Sequence, residues 1–325
     1  MNYVFFKSSQ LAFQRVTDIY DFVWPTAVAM WNMREQVEDL ITKNKDATES
    51  DLQTRFVLKT DIHGANITRA FLEHSWEQQQ EYFAKFLLVN LIAFYEAWTE
   101  DILEAIGHNT KTLRDQLQYP TGAKLIDVKK NLNRHPNKGI WNVVNSITSH
   151  ESVMLRDAFY SSLISHEKNS KAQLDSLLYC YRYFKECRNS IIHGGGKANI
   201  YAEIAYNDFS KHATSSQLGV KEVPEHLPVY NSGIITLSLR GVVGLSDIIR
   251  RIIITIDAEL SRSLGAEEEF RQRWVAKHGT KRTLKVVDRN IRQRQIAKMV
   301  QSIGFPRPML TEEIDKFIKN HSLAR

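Results

Sequence analysis

Cysteine is nearly missing: Cys180 and Cys187 are the two in 325 residues. Seven positions apart on one predicted helix, they stand ~10 Å apart at 1.5 Å rise per residue. A disulfide needs Cα atoms within about 7 Å, so no intrachain bridge is expected and a reducing, cytoplasmic setting fits. No apolar run reaches the ~20 residues of a membrane span; the longest, 86–98, is interrupted by Asn90 and Glu96. Met1-Asn2-Tyr3-Val4-Phe5-Phe6-Lys7 has no basic n-region, which argues against a secretory signal. The eleven histidines and two cysteines show neither His-x-x-x-His nor Cys-x-x-Cys spacing, so no metal is expected. No cofactor is expected either. A phosphate-binding Gly-x-x-x-x-Gly-Lys-Ser/Thr loop is missing, and Gly194-Gly195-Gly196-Lys197 has neither the following hydroxyl nor a preceding strand. Gly-x-Ser-x-Gly is absent too, which removes a serine hydrolase. Internal repeats are absent. Seven prolines and fourteen glycines are too few for long disordered tracts.

What is present reads as a globular, mainly α protein: 43% hydrophobic and 25% charged, with a core rich in aromatics. Helical spacing predicts a helix over 9–40 with a break or kink at Pro25, a short one over 51–60, and a long one over 67–106. The last carries Leu88, Leu91, Tyr95, Trp98 and Ile102 as its stripe. Short helices are predicted over 124–133, 140–148 and 153–164. A further helix over 171–193 carries Leu174, Leu177, Leu178, Tyr181 and Phe184. Residues 200–206 alternate, and 229–239 contain Ile234-Ile235-Thr236-Leu237, so a small β-hairpin is expected there. Residues 242–264 return to helical spacing, although Ile253-Ile254-Thr255-Ile256 also suits a strand. Three segments follow: an N-terminal helical region 1–75, a helical domain 76–265 and a basic helical region 266–325.

The net charge of +6 is uneven, because residues 270–300 hold ten Lys/Arg against Asp288 alone. That stretch nets +9 and is where a polyanion is sought first. Arg271, Arg273, Lys277, Lys281 and Arg282, with Lys197 after the glycines, are the candidate RNA contacts; Trp274 could stack a base, although packing is the commoner use for tryptophan. A solvated helical face is the other reading of the same charges. A DNA-reading helix-turn-helix over 285–320 is weaker, because Pro306 and Pro308 occupy its turn.

The most specific stretch is Glu186-Cys187-Arg188-Asn189-Ser190-Ile191-Ile192-His193-Gly194-Gly195-Gly196. Arginine is a permanently charged fork for phosphate, and histidine moves protons near neutral pH. Together they are what metal-free cleavage of RNA requires. The bland alternative is a helix end, where basic residues favour the last turn and glycine the next position. Five residues apart, Arg188 and His193 lie ~140° apart around an ideal helix. A site using both either bends the helix end or borrows a second copy from a partner chain, which predicts a dimer.

Arg188-Asn189-x-x-x-His193, at the end of an aromatic-rich helix, resembles the motif of the HEPN superfamily. That resemblance implies a helical bundle, a homodimer and a composite, metal-independent ribonuclease site using Arg188, Asn189 and His193. It also implies a role as a toxin or in antiphage defence, with an antitoxin or regulatory protein as partner. Some HEPN families add an acid from an earlier helix, and Glu96 is the candidate. Gly195 stands where one subgroup has a modifiable tyrosine, so that mode of regulation is not expected. The alternative function is a catalytically silent HEPN-like module that binds RNA or a partner protein.

Overall fold

The computed structural model describes residues 3–58, 60–122, 125–127, 132–134, 139–280, 284 and 288–324. The fold is mainly helical. The first helix, α1 (Lys7–Lys43), is 37 residues long, about 55 Å at 1.5 Å per residue. It continues through Pro25, so the break expected there does not form. Pro25 is exposed, and so is Asp21, whose carbonyl proline leaves without its helical amide, so water can reach it. The Thr26 hydroxyl also donates to the Phe22 carbonyl at 2.7 Å.

A short α2 (Glu49–Phe56) and a π-helical turn, Arg69–Glu73, lead to α3 (Trp76–Ala105). Ser75 begins α3 with a capping box closed by Gln78, which divides the expected 67–106 helix in two. Next come α4 (Lys111–Gln116), β1 (Leu125–Asp127), β2 (Leu132–Arg134) and α5 (Gly139–Ile147). Helical turns α6 (Val153–Leu155) and α7 (Ser161–Ile164) flank a π-helical turn, Arg156–Tyr160. Then follow α8 (Leu174–His193), α9 (Ile200–Ser210), α10 (Ser215–Leu218), α11 (Leu239–Leu260), α12 (Leu264–His278), α13 (Arg289–Ser302) and α14 (Thr311–Asn320).

The expected hairpin over 200–239 does not form. Asn199 caps α9 by accepting from the amides of Tyr201 and Ala202. Ala202 and Phe209 then turn inward at helical spacing, and this outweighs the alternation. Residues around Ile234 are held to the chain by one isolated antiparallel bridge to Lys197. Conversely, the expected 124–133 helix is replaced by antiparallel strands, with Leu125 opposite Arg134 and Asp127 opposite Leu132.

The core is built on α3, α8 and α11, which pack on one another. Leu88, Leu91, Tyr95, Trp98, Leu177, Tyr181, Phe184, Ile249, Ile252 and Ile256 are all buried there. The β-branched run 253–256 sits inside α11 because all four side chains are buried within the bundle. Phe5 and Phe6 from the start of the chain, and Phe270, Trp274, Phe305 and Phe317 from its end, belong to the same core. A satellite cluster joins Val37, Leu52, Ile67 and Phe71. Among the described residues no helix is long and apolar enough to cross a membrane.

One carboxylate anchors the chain start. Asp257, fully buried on α11, accepts from the amides of Phe5 at 2.5 Å and Phe6 at 3.0 Å. Burial pushes its carboxyl up to about 7, against the pull of these donors and of Ser9. The folded protein therefore binds this proton more tightly than the unfolded chain. The stabilisation is full below the unfolded value of 3.8 and is lost as pH rises through about 7. Urea unfolding at about pH 5 and about pH 8 should show wild type losing stability between the two. Asp257→Asn should flatten that difference while costing about 1–3 kcal/mol at the lower pH, since its amide cannot accept both backbone bonds.

Candidate functional site

The motif helix α8 is sunk into the bundle and continues to its last residue, His193. Its end is built by glycine. The Gly194 amide donates to the Ser190 carbonyl at 2.9 Å and the Gly196 amide to the same oxygen at 3.1 Å. A Cβ at Gly194 would lie 2.7 Å from the Lys197 carbonyl oxygen and 2.8 Å from that of Ser190. Gly196 takes φ +83°, a left-handed conformation that side chains disfavour. The chain turns only after His193, so the helix does not bend to bring the imidazole round to Arg188.

Arg188 is 14% exposed at its side chain and pairs with Glu96 on α3 at 2.5 Å. Its second terminal nitrogen donates to Asn189 Oδ1 at 3.0 Å. Asn189 in turn donates to Glu186 at 3.2 Å. The other oxygen of Glu96 holds Lys185 Nζ at 2.6 Å, and Lys185 also reaches the Gln118 side chain. Glu186 is paired with Arg182, whose guanidinium lies 4.2 Å from the Tyr119 ring centroid. Three cations on α8 thus share two carboxylates and leave one net positive charge. Burial pulls the Lys185 ammonium below its ordinary value, against the pull of Glu96. Arg188 Nε is buried with no hydrogen-bond partner among the described residues.

Of the four expected catalytic residues, the structure brings together Arg188, Asn189 and Glu96. His193 is exposed at the helix end, one position after Ile192, which is 47% exposed. Sequence reasoning missed Arg182, Lys185 and Glu186. A cation at every third position, 182, 185 and 188, beside the apolar stripe of the helix was the available signal.

The expected RNA contacts separate. Lys197 is exposed on the turn. Arg271 is exposed but gripped by Glu268 at 2.7 Å. Arg273 is a structural fastener: it donates to the carbonyls of Ile303 and Phe5, pairs with Glu269 and lies 4.0 Å from the Phe305 ring centroid. Its Nε and both terminal nitrogens are taken up by these two carbonyls and by Glu269, so its donors are spent within the protein. Lys277 donates to the Ser302 carbonyl at 2.6 Å. Lys281 and Arg282 lie outside the described residues. Trp274 is completely buried and donates to the Leu323 carbonyl at 3.1 Å, so it cannot stack a base.

A cleft of about 650 Å³ is lined by Trp24, Glu77, Glu81, Glu225 and Arg240, and no motif residue lines it. No protein-family model, curated protein or solved structure matches the chain.

The Glu96 pairing sets an expectation for stability. Glu96→Ala leaves two largely buried cations without their carboxylate and should cost about 2–3 kcal/mol in urea unfolding. Glu96→Gln, which keeps one acceptor and the side-chain volume, should cost less.

Proposed function

We propose that the chain is a metal-independent endoribonuclease of the HEPN type, acting as a homodimer in the cytoplasm. The observation that carries this reading is the state of Arg188. The side chain is already desolvated, oriented by Glu96 and Asn189, and keeps a buried Nε–H with no partner among the described residues. An unsatisfied buried donor costs about 1–3 kcal/mol, a cost that a phosphoryl oxygen would relieve. His193 follows at the exposed helix end, on a different side of the same helix.

In the proposed reaction His193 takes the proton from a ribose 2′-OH, and that oxygen attacks the adjacent phosphorus. Arg188 stabilises charge developing on the phosphoryl oxygens. The P–O5′ bond breaks, and the leaving oxygen is protonated by the second His193 or by water. The products are a 2′,3′-cyclic phosphate and a 5′-hydroxyl. The ~140° between positions 188 and 193 supports a cleft shared by two chains, in which each supplies one of the two groups. A toxin or antiphage role, with an antitoxin or regulatory protein as partner, follows from the HEPN resemblance.

End analysis of labelled RNA incubated in EDTA tests the reading. Wild type should produce cyclic phosphate ends, and a 2′-deoxy substitution at the cut position should abolish them. His193→Ala should lose about 10²–10⁴-fold in rate with an unchanged melting temperature. Binding without cleavage, unaltered by His193→Ala, would leave the silent RNA-binding module standing instead.

A further inference from the structure

The basic C-terminal segment holds two populations of cations that composition alone cannot tell apart. Arg271, Arg273, Arg289 and Arg292 are paired with Glu268, Glu269, Glu312 and Asp315. Their charge is spent within the protein. Arg294 and Lys298 are different. Both are exposed, stand one helical turn apart on α13, and have no carboxylate partner among the described residues.

Both also line a groove of about 550 Å³ that runs along α13 from Ile291 to Ser302, with His278 from the end of α12 on its wall. Lys277, next to His278, is exposed and is held by a carbonyl rather than a carboxylate, so its charge is not neutralised. Among the described residues no acidic side chain and no Phe, Tyr or Trp lines the groove, and the His278 imidazole there is packed 5.0 Å from the Trp274 ring. Charge without a stacking platform suits phosphates rather than bases.

We propose that this groove is a second, sequence-independent grip on single-stranded RNA, with Arg294 and Lys298 each contacting a backbone phosphate. It rests on the reading of RNA as the substrate, but not on cleavage. The site differs from the Arg188–His193 centre in what it does. It holds the strand by counterion release and takes no part in breaking the bond.

The test measures binding and cleavage separately. Binding of a fluorescein-labelled single-stranded RNA is followed by anisotropy across a salt series, in a His193→Ala background. Each single-strand phosphate contact contributes a slope of about 0.7 in log K against log salt. Arg294→Gln with Lys298→Gln should therefore lower the slope by about 1.4. The matched pair Arg271→Gln with Arg289→Gln, exposed but already neutralised, should leave it unchanged. With His193 restored, Arg294→Gln/Lys298→Gln should cut a dinucleoside monophosphate at the wild-type rate.

An unchanged slope in Arg294→Gln/Lys298→Gln overturns the groove, whatever the chain does to RNA. A reduced slope in a chain that never cleaves keeps the groove and removes the nuclease. Tighter binding of duplex DNA, lost with the same two substitutions, would make DNA the occupant and overturn the proposal.

Discussion

A single carboxylate on α3 organises the cations of α8. Glu96 receives Arg188 on one oxygen and Lys185 on the other. An acid in the middle of an apolar helix is costly unless it is paired and hydrogen-bonded. Here one acid meets two cations, so the cluster keeps a positive excess at a place where water is largely excluded. Glu186 repeats the arrangement one step away, through Arg182 and Asn189. The helix carrying the motif is thereby locked in rotation. Tyr95 and Tyr181, with ring centroids 4.5 Å apart, fill the interface beneath the charges. The same acid that positions Arg188 also competes with any anion for it. A phosphate entering this site must share Arg188 with Glu96 or use the donor that Glu96 leaves free.

Much of this was readable from spacing. The apolar stripes of α3, α8 and α11 appear at intervals of three and four because each of those helices buries one face against the others. Glu96 could be named for a local reason, since a charged group inside an apolar pattern needs a partner, whereas Arg188 and Asn189 were named from their spacing to His193. The losses came where local signals conflict. Residues 200–206 satisfy both period two and a helical stripe, and the Asn199 cap decides between them. Pro25 removes one amide from α1 at an exposed position, where water can serve the Asp21 carbonyl and the helix continues.

The tail shows the limit more sharply. Ten cations in one segment can be counted, but whether a charge is available depends on acids distant in the chain. Arg292 meets Asp315 from the next helix, and Arg273 is consumed by Phe5, Glu269 and Ile303 from three separate elements. Net charge overstated the polyanion surface because it could not see these pairings. Trp274 takes the commoner of its two uses, because the core closes over it and leaves no face for a base.

The two groups of the motif are held in opposite ways, and this bears on how a reaction could use them. Arg188 is stiff, because Glu96 and Asn189 fix its guanidinium and packing removes its freedom. That suits a group whose task is preorganised charge, since it pays no reorganisation as the transition state forms. His193 is the last residue of its helix, exposed, before a turn that only glycine can make. That suits a group that exchanges protons with substrate and solvent. Rigid charge and accessible base, set on different sides of one helix, do not converge within a single chain. In the proposed dimer, a twofold axis past the helix end would set the base of one copy opposite the charge of the other without bending either helix.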